Sequence, residues 1–241
     1  MKNFRWIFAF FVLLLSFSQV DAQSEAKMKN QNRIRIAHVK KDFSISELDD
    51  KSWKKAKEIS IANYWSGEKA NVGRHAKAKL LWSDSALYVR FEANQTEPLI
   101  VSDTPNLKSK TRGLWDRDVC EIFVAPNIKE PRKYFEFEIA PTGEWIDLAI
   151  HQLPNRRKTD FEYNSGMQSA AKIETNKIVM AIKIRWKAFS KTPQVNDVWK
   201  GNLFRCVGAG EARGYLSWQA TKTETPNFHV PEAFGEFQFI K

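Results

Sequence analysis

The sequence predicts an all-β fold over residues 40–241: an antiparallel, jelly-roll-like β-sandwich with one or two short helices. Two observations predict it. Apolar side chains recur at every second position in one segment after another, the period of a strand buried on one face. Short polar turns separate these segments, and no long stretch of helical periodicity intervenes.

Taken in chain order, Ser46–Asp50 reads as a first short helix. Ala86–Ala93 alternates cleanly, with Leu87, Val89 and Phe91 on one face and Tyr88, Arg90 and Glu92 on the other. Gly113–Val124 passes from a polar loop into a strand and places Trp115 at the strand entrance. Tyr134–Ile139 sets Phe135, Phe137 and Ile139 against Tyr134, Glu136 and Glu138. Lys177–Ile184 puts Ile178, Met180, Ile182 and Ile184 together, and a second short helix follows at Trp186–Ser190. Asn202–Val207 and Gly235–Ile240 complete the set. The turns between them carry Ser83-Asp84-Ser85, Pro126-Asn127, Pro141-Thr142-Gly143, Glu174-Thr175-Asn176 and Gly208-Ala209-Gly210.

Ahead of this domain, Lys2 and Arg5 precede an apolar run from Trp6 to Leu15, and Val20-Asp21-Ala22 has the small-x-small pattern of a cleavage site. The run is short for a bilayer span, so residues 1–22 read as a signal peptide of an exported protein, bound for the periplasm, the cell surface or the medium. Residues 23–39 read as a flexible leader, polar and aperiodic up to residue 33. Nothing later is apolar and long enough to cross a membrane. Without the signal peptide the formal charge changes from +10 to +9. The basic residues are scattered, which argues against nucleic acid as a partner and leaves only a diffuse attraction to anionic surfaces. Cys120 and Cys206 enter a compartment that permits disulfides, but each sits in an apolar strand segment. They are either a bridge or two small apolar side chains.

Eight tryptophans lie beyond the signal peptide. Most indoles pack, but an exposed indole on a β-sandwich offers a flat apolar surface to the C–H faces of a sugar ring. Trp115 is the leading candidate. By alternation it shares a face with Val119 and Glu121. In an ideal strand the carboxylate would lie about 20 Å away, so joint action requires the loop before Asp118 to fold back. Trp218 occupies a similar loop-flanked place. Arg90, Glu92, Glu121, Glu136, Glu138 and Arg205 all alternate with apolar positions and could line one sheet, either as groups that orient sugar hydroxyls or as a solvated face of ion pairs. The solvated alternative weighs more for Glu92 and Glu138 than for Glu121 and Arg205.

Four segments in order, Leu80–Glu92, Leu114–Val124, Tyr134–Gly143 and Phe228–Gly235, resemble the family 9 carbohydrate-binding modules and their DOMON-like relatives, over roughly residues 40–241. The resemblance implies a β-sandwich module of glycan-degrading systems, often joined to glycoside hydrolases. It implies two tryptophans clamping a terminal sugar with the help of an acid and an arginine or amide, and structural calcium. Carried over by motif, Trp115 is the first clamp residue and Glu121 the acid, while Trp218 and Arg205 match the second clamp and the arginine more loosely. Tyr215 stands where an amide is expected.

The expected function is therefore non-catalytic binding of a polysaccharide or oligosaccharide, with no required cofactor. A jelly-roll glycoside hydrolase is the main alternative and would need two of Glu121, Glu136 and Glu138 about 5–10 Å apart. A haem-binding DOMON-like role would need axial ligands such as Met180 and His229. His38, His75, His151 and His229 lack zinc spacing, and no Gly-x-Ser-x-Gly nucleophile elbow is present.

Overall fold

The computed structural model describes residues 32–241. The signal-peptide reading of residues 1–22 and the first part of the leader lie outside these residues. Fourteen strands follow one another: β1 (Arg33–His38), β2 (Ile59–Ile61), β3 (Asn63–Tyr64), β4 (Ala76–Trp82), β5 (Ala86–Asn94), β6 (Val119–Ala125), β7 (Lys133–Ile139), β8 (Trp145–Gln152), β9 (Arg157–Asp160), β10 (Gln168–Glu174), β11 (Lys177–Arg185), β12 (Val198–Val207), β13 (Gly214–Ser217) and β14 (Gly235–Ile240). Their main path runs β10-β11-β5-β4-β1-β14-β12-β6-β7-β8-β9, and the sheet curls so that its two halves face each other as a sandwich.

The alternation explains the core. Leu87, Val89 and Phe91 of β5 and Ile178, Met180 and Ile182 of β11 meet Ile122 and Val124 of β6, Phe137 and Ile139 of β7, and Leu203 of β12 in one buried cluster. Trp199 is its aromatic hub, 4.9 Å from Phe239 and 5.8 Å from Trp186 between ring centroids. The short helix expected at Trp186–Ser190 is present as a 3₁₀ turn over Trp186–Phe189.

Two sequence expectations are corrected, and one open alternative is settled. The leader ends earlier than residue 39, because β1 runs parallel to both β14 and β4 and closes the centre of the sheet. Ile34 and Ile36 are the buried pair that hold it there, so the sandwich is antiparallel except at β1. No helix forms at Ser46–Asp50. A 3₁₀ turn lies just past it instead, over Lys51–Lys55, since the Asp50 carboxylate accepts the Ser52 N–H at 2.6 Å and caps it. The cysteines stay as free thiols. Cys120 lies opposite Arg205 on the core face, while Cys206 faces the other way with Phe204, so neighbouring strands hold them on opposite sides of one sheet.

The two outer faces differ. On the half built from β4, β5 and β11, the segment 39–56 lays Val39, Ile45 and Trp53 over Leu81, Tyr88 and Ala181. Arg90 is tied there to the Leu48 carbonyl at 2.8 Å and to Asp49 at 3.1 Å. The outer face of the other half, β12-β6-β7-β8-β9, carries a smaller apolar cluster and a pocket.

Candidate functional site

The pocket has a volume of about 320 Å³, at the lower end of the range for small-ligand sites. Trp115, Phe161, Tyr215 and Phe228 supply its aromatic lining, and Glu121, Glu136, Arg157, Asn227 and His229 its polar groups. Thr159 and Phe161 also line a wider trough of about 720 Å³ alongside, with Lys133, His151 and Lys158.

Trp115 is 36 % exposed, and local chemistry puts it there. Gly113 adopts φ +79°, a left-handed conformation that glycine tolerates, and a 3₁₀ turn follows over Leu114–Asp116. Leu114 is buried beneath the turn. The Arg213 guanidinium fastens it from the side, donating to the carbonyls of Trp115 (2.6 Å), Asp116 (3.1 Å), Arg117 (2.6 Å) and Gly208 (2.7 Å). This turn is the fold-back that brings Trp115 and Glu121 to one pocket. The indole lies 6.4 Å from the Phe161 ring.

Glu121 and Glu136 form the floor, with Glu138 wholly buried behind them. Glu121 of β6 stands directly opposite Glu138 of β7, and Glu136 is on the same face two residues along. Carboxylate oxygens of all three lie within 4.8 Å of one another. Burial pushes Glu121 well above the usual carboxylate range, and the Glu136 charge adds to the shift. Burial raises Glu138 as well, reinforced by Glu121 and Glu136. The expectation of a solvated Glu138 is thus overturned: it is 0 % exposed. Glu92 does fit the ion-paired alternative, 3.3 Å from Arg90 on the far half of the sheet. Beside the trio, His229 Nδ1 sits 2.9 Å from the Tyr134 hydroxyl, and burial with the Arg157 charge lowers its pKa to about 3, so the ring is neutral.

Two expected site residues are elsewhere. Trp218 is packed on the main core, stacked 6.0 Å from Phe237. Strand parity is the reason: β13 presents Tyr215 to the pocket and Leu216 to the core, and Trp218 follows Leu216. Arg205 is 2 % exposed and also turns inward. It donates to the carbonyls of Arg74 (2.8 Å) and His75 (3.0 Å) and to Gln95 Oε1 (2.7 Å). In its place Phe204 and Cys206 share the face of Glu121. The pocket groups that sequence reasoning missed, Phe161, Arg157 and Asn227, come from β9 and from the loops after β9 and β13, which show no periodicity. Met180 is buried in the main core and His229 lies at the pocket, so the two do not form an axial pair.

Two places offer the oxygen-rich surroundings that calcium requires. The glutamate trio is the one cluster of potential metal-ligating side chains among the described residues. The other place is already filled: the Lys110 ammonium pairs with Asp147 Oδ1 at 2.6 Å and donates to the carbonyls of Asp147 (3.0 Å), Phe161 (3.2 Å) and Tyr163.

A family model described as carbohydrate family 9 binding domain-like matches residues 46–241. Over 130 residues the chain is 28 % identical to endo-1,4-beta-xylanase C of Paenibacillus barcinonensis, a stretch that covers 51 % of this chain and 11 % of that enzyme. A structure from Bacteroides uniformis, described as a candidate carbohydrate-binding protein, superposes with a TM-score of 0.66 at 18 % identity, covering 86 % of this chain and 98 % of that one. A family 9 carbohydrate-binding module from Caldicellulosiruptor kristjanssonii in complex with cellotriose gives 0.60 at 19 % identity, covering 86 % and 93 %. At these identities the structural likenesses establish the fold. Among the described residues no helix is long and apolar enough to cross a membrane.

Proposed function

This chain belongs to the carbohydrate family 9 binding domain-like family, and on that premise we propose that it binds a sugar ring of an oligosaccharide or polysaccharide, without catalysis, in the Trp115 pocket. The observation that carries the proposal is the exposed indole set at the mouth of a pocket with a carboxyl floor. Trp115 stacks on the apolar face of the ring, and Tyr215 or Phe161 replaces Trp218 as the second aromatic surface. A protonated Glu121 both donates and accepts, which suits a hydroxyl, itself donor and acceptor. Arg157, Asn227 and neutral His229 fix the rest of the ring. The adjoining trough gives room for a further sugar unit. Gluco-configured ligands are the first to test, because a module of this fold has been solved with cellotriose and with glucose.

The protein is proposed to act after export, alongside glycoside hydrolases of the same glycan-degrading system. A hydrolase of its own would use the Glu121, Glu136 and Glu138 cluster. All three, however, rise from one face of two adjacent strands, whereas glycoside hydrolysis needs carboxyls on either side of the scissile bond.

The test is titration calorimetry with glucose and cellotriose, with reducing ends assayed in the same incubations. Losing a stacked aromatic at a binding hot spot costs about 2 kcal/mol, so Trp115→Ala should weaken binding about thirtyfold. No reducing ends should appear. Unchanged affinity in Trp115→Ala, or turnover that Glu136→Gln abolishes, would overturn the proposal.

A further inference from the structure

Basic residues that are scattered along the sequence gather at one edge of the sandwich. The edge strand β9 opens with Arg157 and Lys158, directly after Arg156, and all three side chains are exposed. Lys133 of β7 stands opposite His151 of β8, and His151 stands opposite Lys158, so a row of basic side chains crosses three strands. The acids nearby are already engaged. Glu130 pairs with Lys133 at 2.6 Å, Glu232 with Arg132 at 2.7 Å and Glu162 with Arg112 at 2.6 Å. Asp160 accepts the backbone N–H groups of Glu162 (2.9 Å) and Tyr163 (3.2 Å). Among the described residues, none forms an ion pair with Arg156, Arg157 or Lys158. Glu136, whose ionised form the Arg157 charge favours, is pushed above its ordinary pKa by burial. Alternation on β9 sends Arg157 to the pocket and Lys158 to the trough, while Thr159 and Phe161 line both. The edge strand is thus a ridge between two depressions, with an unpaired cation on either side.

We infer, resting on the sugar-binding reading of the Trp115 pocket, that the glycan is acidic: a sugar unit beyond the one in the pocket carries a carboxylate, as in a uronic acid, and Arg156 and Lys158 of the β9 ridge receive it. The charges divide the two places. Acidic side chains floor the pocket, which disfavours an anionic ring there. The ridge offers guanidinium and ammonium donors, which form charge-assisted hydrogen bonds with carboxylates. The formal charge of +10 acts in the same direction at longer range and draws a polyanion to the surface. A lipid surface fits less well, because these cations flank a trough of about 720 Å³ that accommodates a sugar unit.

Calorimetry at low salt compares cellotriose with cellotriose in which one terminal glucose is replaced by glucuronic acid, each end in turn. One of the acidic trisaccharides should bind about five- to tenfold more tightly than cellotriose, the effect of two exposed ion pairs. The preference should shrink in about 0.5 M salt, where exposed charges are screened within a few ångströms. Combining Arg156→Gln with Lys158→Gln changes two exposed side chains, so the variant should melt like the parent while its acidic-to-neutral affinity ratio falls close to one. Lys158→Glu alone should turn the preference toward the neutral ligand. Equal affinity of the parent for neutral and acidic trisaccharides would overturn the acidic assignment and leave the sugar-binding reading standing. Failure to bind any of them would overturn both. A preference that survives in the double variant would place the anion elsewhere and likewise overturn the assignment to the ridge. Capture of anionic phospholipid vesicles, lost in the double variant and without any preference among the trisaccharides, would give the ridge to a membrane surface instead.

Discussion

Replacing Arg213 with alanine should loosen the Trp115 turn while leaving the sandwich folded. The guanidinium donates to four carbonyls in two loops and also lies 5.5 Å from the Tyr215 ring centroid. Hydrogen bonds to charged groups contribute about 1.5–3 kcal/mol each when buried. This turn borders solvent, however, and water can replace the lost donor, so about 0.5 kcal/mol apiece is the safer figure. That gives about 2 kcal/mol in all, which goes mainly into ordering residues 115–117. Holding a backbone residue costs about 1–2 kcal/mol. A ligand that must re-order the turn should then bind about thirtyfold more weakly. Arg213→Lys should fall between parent and alanine, because an ammonium cannot reproduce the planar fork. Hydrogen exchange at the amides of residues 115–118 reads the order of the turn, and calorimetry with cellotriose reads its consequence. Parental protection at these amides in Arg213→Ala would refute the reasoning whatever the affinity. Faster exchange with unchanged affinity would remove the turn from the binding site.

Two further substitutions probe the scaffold. A Cβ on Gly235 would stand 2.3 Å from Trp218 Cη2 and 2.9 Å from the Asn32 carbonyl oxygen, so Gly235→Ala should cost about 3 kcal/mol, roughly 6–12 °C of melting temperature, while the folded fraction binds sugar as the parent does. A variant that melts like the parent would show that the indole yields easily. Asp42 is buried enough to raise its pKa, but hydrogen bonds from Ser83, Ser85 and Lys183 outweigh this and hold it below the usual range. The stability it contributes is therefore full above the unfolded value of about 3.9 and is lost as pH falls through the lower folded value. With the carboxylate 43 % exposed, Asp42→Asn should cost no more than about 1 kcal/mol at neutral pH. Urea titrations should show that gap closing below about pH 4, and a gap constant with pH would refute the assignment.

Strand faces are legible in the sequence wherever one side of a segment is apolar and the other polar. Tyr134–Ile139 is such a segment, and its alternation alone puts Glu136 and Glu138 on one face. The same rule places Trp218 correctly, since Leu216 and Trp218 must share a side. Motif likeness points instead to the pocket, and parity prevails. Arg205 is harder, because Asn202–Val207 is buried on both faces and alternation there carries no sign of which way is out. Glu138 misleads because a polar residue opposite an apolar one reads as solvated, whereas here a second apolar cluster roofs that face. The two arginines of β1 hide it, and Phe161, Arg157 and Asn227 come from an edge strand and loops whose sequences carry no packing period.

Lys110 has a consequence for where this protein can work. Its ammonium holds the carbonyls of Phe161 and Tyr163 against Asp147, at the point where the chain turns from the edge strand past the pocket. A loop gathered around a free metal ion is only as well ordered as the surrounding concentration of that ion allows. Here the positive charge is part of the polypeptide and its local concentration is fixed by covalent attachment. The Phe161 side of the pocket should therefore keep its shape in ion-poor surroundings and in the presence of natural chelators such as acidic polysaccharides.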